Sequence, residues 1–328
     1  MLIKHRVTQL RLDVMEEHFS IPSPIDGLKL FLRYLPARFA SSSRPKVVLY
    51  VHGATFPSAL SIAHRLGGRS WRDELVNAGF HVWGLDFQGF GASDRYPEMG
   101  QPPEYTSALG RAQSASEQLE QAARFICEHQ HVPRISIIAH SWGTIATGVL
   151  AGRCPELVER LVFFAPITWR QRRAEPQICS AWRLVSLQEQ WKRFTQDVPH
   201  GEAPVLDQQA FKEWGGLYLD SDAESRTRSP ACVKIPSGPW QDISSAGAGQ
   251  LAYDPASIRV PVGIIHGAWD KASTDADARW LFDELRNSPV RREVKISRAT
   301  HLMHLEEGRF ALYREAEAFL NGNDLRTT

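Results

Sequence analysis

Apolar residues along this chain fall into short unbroken runs, separated by stretches with helical spacing. Lys46 to Val51 is the first such run, closed by His52-Gly53, and suits a strand buried on both faces. Trp71 to Ala78 predicts a helix stopped by Gly79, and Phe80 to Leu85 predicts the next strand. A turn-rich segment, Asp86-x-x-Gly89-x-Gly91-x-Ser93, follows it. Between Ser116 and His129, Leu119, Ala122, Ala123 and Ile126 share one helical face. A strand at Ile135 to Ala139, a small-residue helix at 144–152 and a strand at Leu161 to Ala165 continue the rhythm. Strands alternating with helices at this spacing predict an α/β fold with a mostly parallel, doubly wound sheet.

The rhythm lapses between Pro166 and Ile258, a stretch holding Trp169, Trp182, Trp191, Trp214, Tyr218 and Trp240. It resumes with a strand at Val262 to His266, a helix at 276–286, a strand at Arg292 to Ile296 and a last helix at 308–321. Residues 166–258 therefore read as a helical cap inserted into one core formed by 1–165 and 259–328. Upstream, Met15 to Ser20 and Leu28 to Leu35 predict two antiparallel edge strands.

Composition adds mainly exclusions. The 328 residues are 43% hydrophobic and 23% charged, which suits an ordinary globular protein. A net charge of +1 gives no field to attract nucleic acid or an anionic membrane. The densest basic run, Arg170-Gln171-Arg172-Arg173, reads as a solvated surface loop. Four scattered cysteines form no Cys-x-x-Cys pair, so neither a zinc site nor a redox motif is expected. No apolar run approaches the length of a membrane span, and Met1 to Leu10 lacks the apolar stretch of an export signal. A cytoplasmic protein with free thiols, acting on a small molecule without nucleic acid, is the expectation; oligomeric state is not legible.

The candidate chemistry centres on Ala139-His140-Ser141-Trp142-Gly143. A serine hydroxyl is a weak nucleophile unless a base lies within hydrogen-bond reach and donors await the oxyanion. A sharp turn from strand to helix supplies both, and needs small residues two positions either side of the serine. Ala139 and Gly143 meet that need. His52-Gly53-Ala54 ends the first buried strand, so the Ala54 and Trp142 N–H groups could form the oxyanion hole. Asp270 lies just past a later strand in Gly267-Ala268-Trp269-Asp270, and His301 follows the next in Ala299-Thr300-His301-Leu302-Met303-His304-Leu305-Glu306. All lie at strand C-terminal ends, where open α/β sheets place their sites. Asp275 and Asp277 are rival acids, but fall further along, at or inside the following helix.

On these residues the chain resembles the α/β-hydrolase superfamily, and within it the lid-bearing esterase, lipase and peptidase-like members. The resemblance rests on His52-Gly53, the Asp86 turn, the serine elbow, the Gly267 turn and the His301-x-x-His304-Leu305-Glu306 run. It spans nearly the whole chain. It departs from the family at Ala139 and at Thr300, both commonly glycine. It implies Ser141 as nucleophile, His301 as general base and Asp270 as the residue orienting it, with no metal and no organic cofactor. Carboxylic ester, lactone or thioester hydrolysis is the leading expectation. Amide or carbon–carbon cleavage, acyl transfer, and a non-catalytic ligand-binding module remain alternatives. Haloalkane and epoxide enzymes of this kind resemble the chain but use aspartate where Ser141 stands.

Several neighbours carry blander readings. The Asp86 turn lacks the lysine of a phosphate loop and reads as structural. His304, without a third ligand, reads as a packing histidine; His52 and His140 read as loop-shaping. Trp142 and Trp169 are the aromatics placed nearest the serine in sequence, and are expected to line the substrate pocket.

Overall fold

A computed structural model describes residues 12–39, 44–171 and 175–322. Met1 to Leu10, and Arg172 and Arg173 of the basic run, lie outside the described residues. Strands β1 (Glu17–Pro22) and β2 (Lys29–Leu35) pair antiparallel. They flank a parallel set: β3 (Lys46–Val51), β4 (Phe80–Asp86), β5 (Ile135–His140), β6 (Val158–Phe164), β9 (Val262–Gly267) and β10 (Arg291–Ile296). The eight strands run in the order β1-β2-β4-β3-β5-β6-β9-β10, with β2 antiparallel to β4.

Alternation along the central strands builds two cores. Val47, Leu49 and Val51 of β3, with Ile135, Ile137 and Ala139 of β5, face α2 (Ala112–Gln130) and α3 (Gly143–Arg153). Val48 and Tyr50 of β3, with Ile138 of β5, face α1 (Trp71–Asn77) and α8 (Phe310–Leu320). A strand covered on both faces needs apolar residues on both, which explains the unbroken runs. Helix α7 (Asp275–Glu284) joins the first core through Ala278 and Leu281.

Local signals set some helix starts. Ser70 and Asp73 form a capping box at α1, as do Thr274 and Asp277 at α7. Helix α2 starts four residues before the expected Ser116, with no side-chain cap from its own Arg111. Its first N–H, from Ala112, instead donates to Asp242 at 2.6 Å.

The segment between β6 and β9 is less purely helical than expected. It contains α4 (Leu187–Thr195), α5 (Gln208–Asp220) and α6 (Gly238–Gly247), plus an antiparallel pair, β7 (Trp182–Ser186) with β8 (Cys232–Pro236). Its interior is aromatic: Phe194, Phe211, Trp214 and Tyr218 pack together, with Trp214 and Tyr218 stacked 5.2 Å apart. The basic run also departs from expectation. Arg170 is half-buried and paired rather than free in solvent, bonded to Asp277 of α7 at 2.5 Å and donating to the Ala272 carbonyl at 2.7 Å.

Candidate active site

Ser141 follows β5 directly and adopts φ 54°, a left-handed conformation that a serine enters only when its surroundings impose it. Trp142 returns to the right-handed helical region and α3 begins at Gly143. The crowding expected of this turn is present: a Cβ on Gly143 would lie 2.5 Å from the His52 carbonyl and 3.0 Å from that of Val51. A Cβ on Gly53 would press on the His140 ring and on Ser141. Alanine at 139 is accommodated, fully buried, in the core between β5 and α3.

The three residues expected to act together do meet. Ser141 Oγ lies 2.8 Å from His301 Nε2, and His301 Nδ1 lies 2.9 and 3.1 Å from the two Asp270 oxygens. Asp270 Oδ1 also accepts the N–H groups of Ala272 and Ser273, each at 2.8 Å, which fixes the carboxylate plane. With Nδ1–H directed at Asp270, Nε2 is free to take a proton from the serine. The rival acids point elsewhere. Asp275 pairs with Lys295 at 2.7 Å, and Asp277 binds Thr274 and Arg170.

Acid turn and histidine loop form one unit. Ala268 donates to the Ile296 carbonyl at 2.8 Å and Trp269 to that of Ala299 at 3.0 Å. A Cβ on Gly267 would collide with the Ala299 carbonyl, so glycine is required by close approach. Thr300, the departure from the expected glycine, is buried and works for the loop. Its hydroxyl makes a short hydrogen bond with Glu306, and its N–H donates to the other Glu306 oxygen at 3.2 Å. Burial, reinforced by the nearby Asp270 and Asp197 charges, pushes the Glu306 carboxyl up to about 7 although the Thr300 donors pull it down.

Each histidine around the serine has a distinct place. His52 donates from Nδ1 to the Gly53 carbonyl at 2.7 Å and accepts the Phe87 N–H at 3.1 Å, pinning the loop that carries Ala54. His140 donates from Nε2 to the His301 carbonyl at 3.0 Å and stacks on Phe164. His304 has no protein partner for either ring nitrogen among the described residues. It packs against Phe56, His140 and Phe164, and burial takes it down to about 3. Burial likewise holds His140 well below its ordinary value, so both are neutral.

The Ala54 and Trp142 N–H groups have no protein acceptor among the described residues and stand on loops either side of Ser141. The Trp142 indole is buried and donates from Nε1 to Asp242 of α6 at 2.9 Å. Trp169 is at the surface, stacked on Trp280 and donating to the Gly249 carbonyl at 3.0 Å. Ser141, Asp270 and His301 are only 2%, 5% and 8% exposed. The sequence reading missed three contributors: the His140 bond, Asp242, and Arg193 of α4, which hydrogen-bonds Thr55 beside Ala54. Of these, only His140 could have been singled out, from its place beside the serine. Among the described residues no cluster of His, Cys, Asp and Glu could hold a metal ion, and no helix is long and apolar enough to cross a membrane.

Known proteins agree with this architecture. The model of the hydrolase family described as serine aminopeptidase, S33, matches residues 46–308, and the chain belongs to that family. No curated protein matches the chain. Among solved structures, it is similar to the thioesterase domain from the curacin biosynthetic pathway, with TM-score 0.60 and 14% identity over 93% of this chain and 99% of that one. A thermophilic esterase from Thermogutta terrifontis gives 0.57 and 17% over 93% and 98%. An epoxide hydrolase from Vigna radiata gives 0.57 and 13% over 94% and 98%. At these identities the likeness is one of fold, the α/β-hydrolase fold.

Proposed function

We propose that this member of the serine aminopeptidase, S33, family is a serine hydrolase that cleaves a carboxylic ester of a small molecule through an acyl-enzyme. The observation that carries the reading is the continuous chain Ser141 Oγ, His301 Nε2, His301 Nδ1, Asp270, with links of 2.8 and 2.9 Å. Ser141 Oγ attacks the acyl carbon while His301 Nε2 takes its proton; His301 then returns that proton to the leaving alkoxide. Asp270 holds the Nδ1–H tautomer and balances the imidazolium charge. The Ala54 and Trp142 N–H groups receive the oxyanion. A water deprotonated by His301 then releases the acid and frees Ser141. We read residues 166–258 as the cap over this site.

The epoxide hydrolase likeness does not redirect the reading, because Ser141 supplies an oxygen nucleophile suited to acyl carbon where those enzymes use aspartate. The test is covalent labelling with a fluorophosphonate, read by intact mass. Wild-type protein should gain one adduct on Ser141 and Ser141→Ala none. Folded wild-type protein that takes no label would overturn the assignment.

A further inference from the structure

The cover above Ser141 carries a guanidinium with no counter-ion. Arg193 leaves the last turn of α4 and donates to the Thr55 hydroxyl, one residue beyond Ala54. Two residues past α4, Asp197 accepts the Lys271 N–H and faces Asp270 and His301 electrostatically. This end of α4 therefore sits against the reacting groups. Among the described residues no carboxylate comes within ion-pair distance of Arg193, whereas Arg183 on the adjacent strand is paired with Glu189 at 2.7 Å.

The surroundings of Arg193 are polar and unfinished. Its guanidinium lies 5.8 Å from the centre of the Trp240 ring. Gln190, one turn earlier on α4, and Tyr218 are fully buried. Trp240 Nε1 lacks a hydrogen-bond partner among the described residues, and the Gln190 amide and Tyr218 hydroxyl have only one another within reach, without good hydrogen-bond geometry. Buried donors and acceptors without partners cost free energy unless a ligand completes them. Arg193 is partly buried, and the Thr55 hydroxyl and the more distant charges of Glu189 and Asp197 are what support its charge. Burial brings the Arg193 guanidinium down to about 10, which leaves it charged at neutral pH.

Resting on the serine-hydrolase reading above, we propose that the substrate carries a carboxylate beside its scissile ester, held by Arg193. A single guanidinium offers one planar fork, which matches the two oxygens of a carboxylate. Gln190, Tyr218 and Trp240 supply further donors at its edge, and Thr55 links this anion site to the oxyanion loop. The enzyme thus selects an anionic ester over a neutral one of equal length.

The experiment compares kcat/KM for three p-nitrophenyl or aryl ester series. These are half-esters of straight-chain dicarboxylic acids, neutral alkanoates of matching length, and the same alkanoates of carboxylated phenols. Wild-type protein should prefer one of the anionic series. Arg193→Met should lower the ratio of anionic-ester to neutral-ester kcat/KM by about 100-fold, over and above any loss common to both series through the Thr55 contact. The preferred series tells whether the carboxylate sits on the acid or the leaving group. Equal treatment of neutral and anionic esters by wild type, or an equal loss on both in Arg193→Met, would overturn the proposal. Fluorophosphonate labelling of both proteins runs alongside. Labelling retained with no anionic preference rejects the carboxylate site alone; labelling absent from both rejects the hydrolase reading and this inference with it.

Discussion

His140, the residue immediately before Ser141, donates its Nε2–H to the backbone carbonyl of His301 across 3.0 Å. The end of β5 and the histidine loop are thereby tied on both sides of the Ser141–His301 contact. This bond fixes where the imidazole sits, while Asp270 fixes how it is turned.

Replacing His140 by phenylalanine keeps the stack on Phe164 and deletes the bond. Loss of one buried hydrogen bond is worth roughly 1 kcal/mol. We expect kcat to fall by about fivefold with KM nearly unchanged, because positioning rather than binding is lost. His140→Gln, which restores an N–H donor, should recover part of kcat; an unchanged kcat in His140→Phe removes the positioning role.

Asp242 joins three donors from three places: Trp142 Nε1, the Ala112 N–H that opens α2, and the Arg111 side chain. Asp242→Ala leaves two buried donors unpaired and should destabilise the protein by about 3 kcal/mol. Urea denaturation gives the magnitude. Hydrogen exchange should locate the fraying at the first turn of α2, and uniform exchange elsewhere with α2 unaffected would contradict this role.

Glu306 couples the histidine loop to pH. Its folded-state value of about 7 lies above the ordinary 4.5, so between those values the folded protein binds more protons than the unfolded chain. Its contribution is present below pH 4.5 and is lost as pH rises through 7. The buried neutral histidines act oppositely. His64, brought to about 4 by burial, and His304 favour the fold above 6.5 and withdraw that support in acid. Glu306→Gln mimics the protonated acid and isolates its share. The variant's stability relative to wild type should climb from pH 4.5 to 7 and level off above, as read by denaturant melts. A difference independent of pH would show that Glu306 ionises freely.

Strain at Ser141 has its own signature. A left-handed conformation costs a residue with a Cβ roughly 1 kcal/mol that glycine does not incur. Ser141→Gly should therefore be more stable than Ser141→Ala by about that amount, with both inactive. Equal melting temperatures would mean the turn relaxes once the hydroxyl is gone.

Much of this was legible because the chemistry is local to strand ends. Ser141 and Asp270 each sit in a short turn after an apolar run, and such runs advertise themselves; His301 follows β10, where only Val294 and Ile296 alternate with charged residues. What escaped depends on distant partners. The start of α2 is set by Asp242, 130 residues away, so no local cap marks it. Strands β7 and β8 are five residues each and mostly pair with one another, so their alternation is too brief to register. Arg193 follows Trp191 and Lys192 on an amphipathic helix, where an arginine ordinarily means a solvated face. In the sequence Thr300 stands out only as a departure from glycine; the burial of Glu306 beside it has no trace in the local pattern.

The pairing of β6 with β9 also governs how the molecule assembles. Leu161 and Val262 are opposite one another in the sheet although about a hundred residues separate them, so docking β9 closes a loop costing about 2 kcal/mol more than a ten-residue connection. Ser141 lies on one side of that seam, Asp270 and His301 on the other. In a refolding experiment, helical ellipticity should return before fluorophosphonate labelling of Ser141, since the reacting groups meet only after the slow, long-range contact forms.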